Sequence, residues 1–282
     1  MILMDEPIEM IPLLCRIAVG LIVFIGATMG VYSMLSRQFL RQSLRLPAAE
    51  FVRNRPLSPL SAVPVMMVTI LFAVMAAVQP KQTPATPPAA SALLLGAGLY
   101  SIALLITVFG CLSYSRTGFR AAFGMDACPW PVAVKKGIRY GLEILPLVLL
   151  VSIVVSCIGE SLGFDMKAQQ IFDCLNDPSA SVGVRAALMF CAVGAAPILE
   201  ELLFRGVLFS VVLKGRTFLF AALLTSLYFA LMHLHAPSLL SLLVLSVGFS
   251  AGYAATGSIL TPVVMHALFN VTGLLLFFAE IK

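Results

Sequence analysis

Long apolar stretches constrain the fold of this chain more than any other feature of its sequence. A transmembrane helix needs about 20 apolar residues to cross a hydrocarbon core about 30 Å thick. The 282 residues offer eight candidates, at approximately 13–36, 60–80, 91–114, 141–163, 186–213, 217–235, 238–256 and 258–280. Hydrophobic residues make up 60% of the chain and charged residues 11%, whereas a soluble domain is about half apolar and about a quarter charged. We therefore predict an all-α, polytopic transmembrane helix bundle of about eight spans.

The charges of the connecting segments alternate in sign along the chain. The segment before the first span is acidic, and the next connection carries five arginines against Glu50. The connection after 114 is again basic, and the 164–185 loop holds three aspartates. Because basic connections mark the cytoplasmic side, the pattern predicts eight spans with both termini outside. The net charge of +5 thus reflects orientation in a lipid bilayer, and we expect no nucleic-acid partner.

Six polar side chains interrupt the apolar stretches of the C-terminal third. An ionised group at the centre of a bilayer costs about 2.5–3.5 kcal/mol on insertion scales, so each such residue needs a compensating partner or a function. The six are Glu200, Glu201, Arg205, His233, His266 and Asn270. Their convergence in one buried cavity is the central hypothesis drawn from the sequence.

Helical spacing separates the two glutamates. Glu201 and Arg205 are four residues apart with the acid first, which places them on one face as an ion pair. Glu200 lies about 100° around the helix from Glu201, so it is free to act as a general base. Pro197, three residues before it, predicts a kink or a wide turn beside the carboxylates.

Depth along the helices predicts which side chains can meet. Glu200 lies about fifteen residues before Gly215, and His233 lies about eighteen residues after it. At about 1.5 Å of rise per residue the two differ by about one turn, so they can face each other on antiparallel helices. The same count places His266 about 10 Å nearer the inner side than Glu200. Tilt, a kink at Pro262 or a later helix start would have to correct that offset.

Two kinds of chemistry fit this inventory. Amide hydrolysis needs a base that activates water and donors that stabilise the oxyanion. Glu200 with His233 beside it could activate the water, while His266 and Asn270, which share a helix face, could supply the donors. Alternatively Glu200, His233 and His266 could bind a divalent metal such as zinc. The residues alone leave both readings open.

Three motifs give the chain a resemblance to a known family. They are EELLFRG, FALMH and HALFN, which contain Glu200, Glu201 and Arg205, then Phe229 and His233, and then His266 and Asn270. A Glu-Glu pair with a following arginine, a Phe-x-x-x-His and a His-x-x-x-Asn in this order resemble the CPBP family of intramembrane proteases. This family is also called Abi and includes the type II CAAX prenyl endopeptidases. The resemblance covers about residues 185–275.

The resemblance implies an enzyme and its residues. It implies that Glu200, Glu201, His233, His266 and Asn270 are catalytic, and that Glu201 also forms a structural ion pair with Arg205. The family is described both as metallopeptidases and as metal-free glutamate proteases; we favour the metal-free form and commit to no cofactor. The expected substrate is a membrane-embedded or lipidated peptide, and the expected location is a prokaryotic cell (inner) membrane.

The chain divides into two parts by this resemblance. Residues 185–282 are the predicted catalytic core, and 1–184 are transmembrane helices of unassigned role. Two other functions remain alternatives to an intramembrane endopeptidase. One is a non-catalytic family member that acts as a scaffold or immunity protein, and the other is an ion-coupled transporter, because intramembrane carboxylates and histidines also relay protons.

Overall fold

A computed structural model describes residues 47–77, 90–164, 166 and 170–280. Six helices in this part of the chain are long and apolar enough to cross a membrane: Pro59–Ala77, Ala90–Tyr114, Trp130–Ser161, Val182–Gly215, Ala236–Thr256 and Leu260–Ala279. No strand occurs among the described residues. The predicted all-α transmembrane fold is confirmed, and the chain is an integral membrane protein.

Two of the eight predicted spans are not among these six. The predicted span 13–36 lies outside the described residues. The predicted span 217–235 is the helix Phe218–Met232, which is apolar but has only 15 residues. About 20 residues are needed to cross a typical hydrocarbon core, so this helix is shorter than the bilayer is thick.

The helices are numbered here in chain order. They are α1 (Pro47–Arg53), α2 (Ala62–Ala77, preceded by the 3-10 turn Pro59–Ser61), α3 (Ala90–Tyr114), α4 (Phe119–Phe123), α5 (Trp130–Ser161), α6 (Gln170–Asn176), α7 (Val182–Gly215), α8 (Phe218–Met232), α9 (Leu239–Thr256, preceded by the 3-10 turn Ala236–Ser238) and α10 (Leu260–Glu280).

Helix α5 begins well before the apolar stretch that predicted it. The expected start was 141, whereas the helix starts at Trp130 with prolines on either side of that residue. Proline at the first turn of a helix loses no intrahelical hydrogen bond, which favours a start at this point. Arg139 and Glu143 form an i,i+4 ion pair of 2.8 Å on the exposed surface. The charged first turns are therefore helical although they precede the apolar stretch from which the span was predicted.

Helix α7 is widened on both sides of Pro197. The segments Cys191–Ala195 and Leu202–Phe209 are π-helical, and Ala196–Glu201 between them is α-helical. Proline lacks a backbone N–H, and its ring clashes with the carbonyl four residues earlier, so regular α-helical hydrogen bonding is interrupted in the turn before Pro197. Every residue of Leu202–Phe209 is buried. The wide turn predicted beside the carboxylates is present and lies in the core of the bundle.

Close packing between α5 and α10 depends on small residues. A Cβ atom added at Gly137 would lie 2.8 Å from the backbone oxygen of Thr261 and 2.8 Å from Cβ of Val264. One added at Gly141 would lie 2.9 Å from the Leu268 side chain. Glycines four residues apart let two membrane helices approach closely. This contact fixes the position of α10, which carries His266 and Asn270.

The connections predicted to be cytoplasmic meet at Arg55. This side chain is 4% exposed, and its guanidinium donates to the carbonyl oxygens of Ala121, at 3.2 Å, and of Gly257. It also lies over the Phe51 ring, 4.5 Å from the ring centroid. Three segments that are distant in sequence are therefore joined at one end of the bundle.

Candidate active site

The ion pair between Glu201 and Arg205 lies at the centre of the polar cluster. Arg205 Nη1 is 2.8 Å from Glu201 Oε1, and the two residues are 1% and 0% exposed. The second guanidinium nitrogen donates to the Ser246 carbonyl at 3.2 Å and to the Ser246 hydroxyl. The guanidinium carbon lies 4.7 Å from the Phe229 ring centroid and 5.0 Å from that of Phe249. One carboxylate, a polar residue of α9 and two aromatic faces thus stabilise the buried arginine.

His266 connects this ion pair to Glu200. Its Nδ1 lies 3.0 Å from Glu201 Oε1, and its Nε2 lies 3.9 Å from Glu200 Oε2. An ionised carboxylate only accepts hydrogen bonds, so the contact with Glu201 requires the proton on Nδ1. In the neutral ring, Nε2 then presents its lone pair towards Glu200. At 3.9 Å the two atoms are too far apart for a direct hydrogen bond, but a water molecule can bridge them.

Two aromatic rings fix the orientation of the His266 imidazole. The ring stacks on Phe249 with centroids 5.0 Å apart and an interplanar angle of 27°. It meets Phe229 edge to face at 5.9 Å and 79°. Because the same two rings enclose the Arg205 guanidinium, the packing that stabilises the ion pair also positions the histidine.

The expected height difference of about 10 Å between Glu200 and His266 is wrong, because the two side chains face each other at 3.9 Å. Only straight, parallel helices of uniform rise would have that difference in height. Helix α7 is instead widened around Pro197, and α10 begins at Leu260 rather than at 258. Pro262 lies in the first turn of α10, where it does not interrupt the helix.

His233 lies beside the cluster without touching Glu200. It follows the last residue of α8, and its Nδ1 is 2.8 Å from the Phe229 carbonyl oxygen. A carbonyl only accepts, so Nδ1 carries the proton and Nε2 has a free lone pair. The His233 and Phe229 rings pack at 4.6 Å, and no hydrogen bond or ion pair joins His233 to Glu200 in the described structure. Phe229 therefore separates the two histidines and contacts both.

Asn270 replaces a hydrogen bond that Pro197 cannot make. In the π-helical segment the Ala196 N–H bonds the Cys191 carbonyl, five residues back. The next N–H in this pattern would belong to Pro197 and would bond the Ala192 carbonyl, but proline has none. Asn270 Nδ2 donates to that carbonyl oxygen at 2.7 Å. The amide keeps a second N–H and its own oxygen, so this structural contact does not use up the side chain.

Residues 181–272 match a family model described as "Type II CAAX prenyl endopeptidase Rce1-like". This segment is similar to that family. It contains all three motifs, and the resemblance predicted from them is confirmed.

One curated relative is similar to part of the chain. The "Putative membrane peptidase YdiL" of Bacillus subtilis (strain 168) is 34% identical over 74 residues, which are 26% of this chain. The alignment covers 30% of that protein, so this chain matches less than a third of the relative's length. No solved structure matches the chain.

Residues that the motifs do not include also contribute to the candidate site. Ser246 and Phe249 come from α9, and their contacts with Arg205 and His266 were not anticipated. A signal was present in the sequence, because Ser246 and Ser250 are four residues apart in a mostly apolar helix, and the structure buries both. Small hydroxyl side chains with this spacing mark a helix face directed towards other helices.

The candidate site contains no arrangement of side chains that would bind a metal ion, as far as the structure describes the chain. No group of three or more His, Cys, Asp or Glu side chains is arranged to hold a metal anywhere among the residues described. Both histidines use Nδ1 in other contacts, and only His266 lies near Glu200. The side chains as placed do not fit a zinc ion. The metal-free form favoured from the resemblance stays a prediction, which metal analysis of the purified protein can test.

Proposed function

We propose that the chain is an intramembrane endopeptidase in which Glu200 activates a water molecule to hydrolyse a peptide bond. The observation that carries this proposal is the pair of atoms Glu200 Oε2 and His266 Nε2, 3.9 Å apart and able to share one water. The Rce1-like match and the peptidase relative support the same reaction class. The Glu200 side chain keeps 14% exposure whereas that of Glu201 has none, so Glu200 is the carboxylate that water can reach.

The proposed reaction begins with a water that donates one hydrogen bond to Glu200 and one to His266. As the water oxygen bonds the scissile carbonyl carbon, its O–H bond breaks and the proton passes to the Glu200 carboxylate. The carbonyl electron pair moves to its oxygen, where the second N–H of Asn270 can stabilise the charge. The C–N bond then breaks, and Glu200 returns the proton to the departing nitrogen.

Glu201 and Arg205 are assigned a positioning role in this proposal. The hydrogen bond from His266 Nδ1 to Glu201 selects the tautomer whose Nε2 accepts from the water. Arg205 pairs with Glu201 and holds its carboxylate in place. A group that contacts the nucleophile and is itself oriented by a third side chain is a general arrangement of activated hydrolytic sites.

The substrate is proposed to be a membrane-embedded or lipidated peptide. The type named by the matching family model is a prenyl endopeptidase, and the site lies among membrane-spanning helices. We place the catalytic groups in 185–282 and propose that the preceding helices line the substrate path. Helix α3 packs against the Ala196–Glu201 segment of α7, which supports that division. A prokaryotic cell membrane is the proposed location.

The decisive experiment compares Glu200→Gln with wild type. Glutamine keeps the size of the side chain but cannot take up the proton, and a general base contributes about 10²–10⁴-fold to a rate. We expect cleaved membrane peptides, identified by mass spectrometry, to fall by at least about 100-fold. Glu160→Gln is the matched control, because Glu160 is an exposed carboxylate at the end of α5. Products that persist at wild-type level in Glu200→Gln would support a non-catalytic scaffold or immunity protein instead.

A further inference from the structure

A cleft with a basic lining lies at the end of the bundle that carries Arg55. It has a volume of about 560 Å³ and lies between the end of α1, the turn that joins α7 to α8, and the first turn of α8. We refer to it as the basic cleft. Its lining residues are Arg53, Lys214, Gly215, Arg216, Thr217 and Phe220.

Three cations line the basic cleft and no carboxylate does. Arg53 Nε donates to the Leu213 carbonyl at 3.1 Å, and Lys214 Nζ donates to the Leu57 carbonyl at 2.5 Å. These carbonyls hold the side chains in place but carry no formal charge. None of the three cations forms an ion pair with a carboxylate of the described chain. Among the residues that the structure describes, the basic cleft is therefore a cluster of positive charge without a counter-ion.

The surroundings of the basic cleft are apolar on one side. Leu219, Phe220 and Leu223, in the first turns of α8, are 59%, 48% and 47% exposed. Arg216 lies over the Phe220 ring, 5.5 Å from the centroid. Cations followed at once by exposed apolar side chains on a membrane helix mark the level at which headgroups meet acyl chains. A ligand that spans this boundary needs an anionic head and an apolar tail.

We propose that the basic cleft binds the phosphate group of an anionic phospholipid. Arginine and lysine are the side chains that recognise phosphate oxygens by charge-assisted hydrogen bonds. Inorganic phosphate has the same head chemistry, but it makes no use of the exposed apolar side chains of α8. The charge pattern of the connections places the basic cleft on the cytoplasmic side, where anionic lipids attract basic residues.

The test measures lipid binding by native mass spectrometry of the full chain released from detergent. Phosphatidylglycerol and phosphatidylcholine with the same acyl chains are compared on the wild type, on Arg53→Gln/Arg216→Gln and on Lys135→Gln/Lys136→Gln. Arg53 and Arg216 are exposed, so their replacement leaves the core intact. The lysine pair removes the same charge from the predicted cytoplasmic side without touching the basic cleft.

We expect the wild type to prefer phosphatidylglycerol. We also expect the arginine variant to bind it about 25-fold more weakly, since each basic side chain near an anionic surface contributes about a factor of five. The lysine variant should bind like the wild type. Equal binding of the two lipids by the wild type, or unchanged binding by the arginine variant, would overturn the proposal. A parallel titration with inorganic phosphate separates the sources: displacement of the lipid at equal concentration would assign the site to soluble phosphate and reject the lipid.

Discussion

At the scale of single residues, the site is built around one carboxylate oxygen. Glu201 Oε1 accepts from both Arg205 and His266, whereas Oε2 has no hydrogen-bond partner among the described residues. The charge of Glu201 is therefore compensated on one side only. A buried ion pair of this kind depends on both members, because either one alone is an uncompensated charge.

Replacing Arg205 by methionine should unfold much of the protein. Removing one member of a buried pair destabilises by about 3–5 kcal/mol, and Glu201 would be left charged at 0% exposure. Thermal unfolding in detergent measures the loss. The double variant Arg205→Met/Glu201→Gln should recover part of it, because no buried charge remains. A single variant as stable as wild type would show that the pair is not structural.

Asn270→Leu should lower stability independently of activity. It removes the donor of the Ala192 carbonyl, and an unsatisfied buried polar group costs about 1–3 kcal/mol. The matched control is Thr272→Val on the same helix, where the hydroxyl donates to the Leu268 carbonyl in the preceding turn. The loss of that local bond leaves no polar group without a partner, so Thr272→Val should change the unfolding temperature little. Equal unfolding temperatures for Asn270→Leu and wild type would contradict the structural role of Asn270.

The residue-scale contacts were predictable where they are local and not where they cross between helices. The spacing of Glu201 and Arg205 predicted an ion pair, and the structure contains one. The sequence favoured His233 as the neighbour of Glu200, whereas His266 lies nearer in the structure. Helix packing determines which imidazole lies beside the Glu200 carboxylate. The short-range spacing of residues in the sequence does not determine how helices pack. The catalytic roles themselves stay predictions.

At the scale of the elements, apolar length predicted the spans and glycine sets how they pack. The stretches 91–114 and 258–280 correspond to Ala90–Tyr114 and Leu260–Glu280. The early start of α5 was not predicted, because the first turns of this helix are charged. The close contact between α5 and α10 depends on the absence of a side chain at Gly137, which hydropathy does not reveal.

Gly137→Ala should therefore disturb the site from a distance. The new methyl group would lie 2.8 Å from the backbone oxygen of Thr261, so α10 must move away and take His266 with it. Overpacking of this type destabilises by about 1–3 kcal/mol. Gly110→Ala in α3 is the control, because its Cβ would meet no atom within 4 Å. We expect only Gly137→Ala to lower both the unfolding temperature and the cleavage rate. A larger loss of either quantity in Gly110→Ala than in Gly137→Ala would contradict the packing argument.

At the scale of the whole molecule, the connections sort to two ends of the bundle. Arg55 links segments around Ala121 and Gly257, and all three belong to connections predicted to be cytoplasmic. At the other end, Ala90 packs with Cys174 and Leu188 in a separate apolar cluster, and these residues lie in or beside connections predicted to be outside. The connections are thus grouped at the two ends as alternating spans require, and the end that faces the cytoplasm stays a prediction from the charges.

Cysteine labelling can test that topology. In a variant without native cysteines, Asn176→Cys should react with a membrane-impermeant thiol reagent applied to intact cells, whereas Lys135→Cys should react only after permeabilisation. Both positions are exposed, so side-chain access does not distinguish them. Labelling of Lys135→Cys in intact cells would reverse the orientation.

The short helix α8 has a consequence for how solvent approaches the carboxylate. Its 15 residues rise only about 22 Å at about 1.5 Å each, several ångströms less than the usual acyl layer. A span shorter than the acyl layer can be matched by local thinning of the bilayer, and His233 follows immediately after the end of α8. We therefore expect bulk water to lie closer to this imidazole than it would beside a helix of full membrane length.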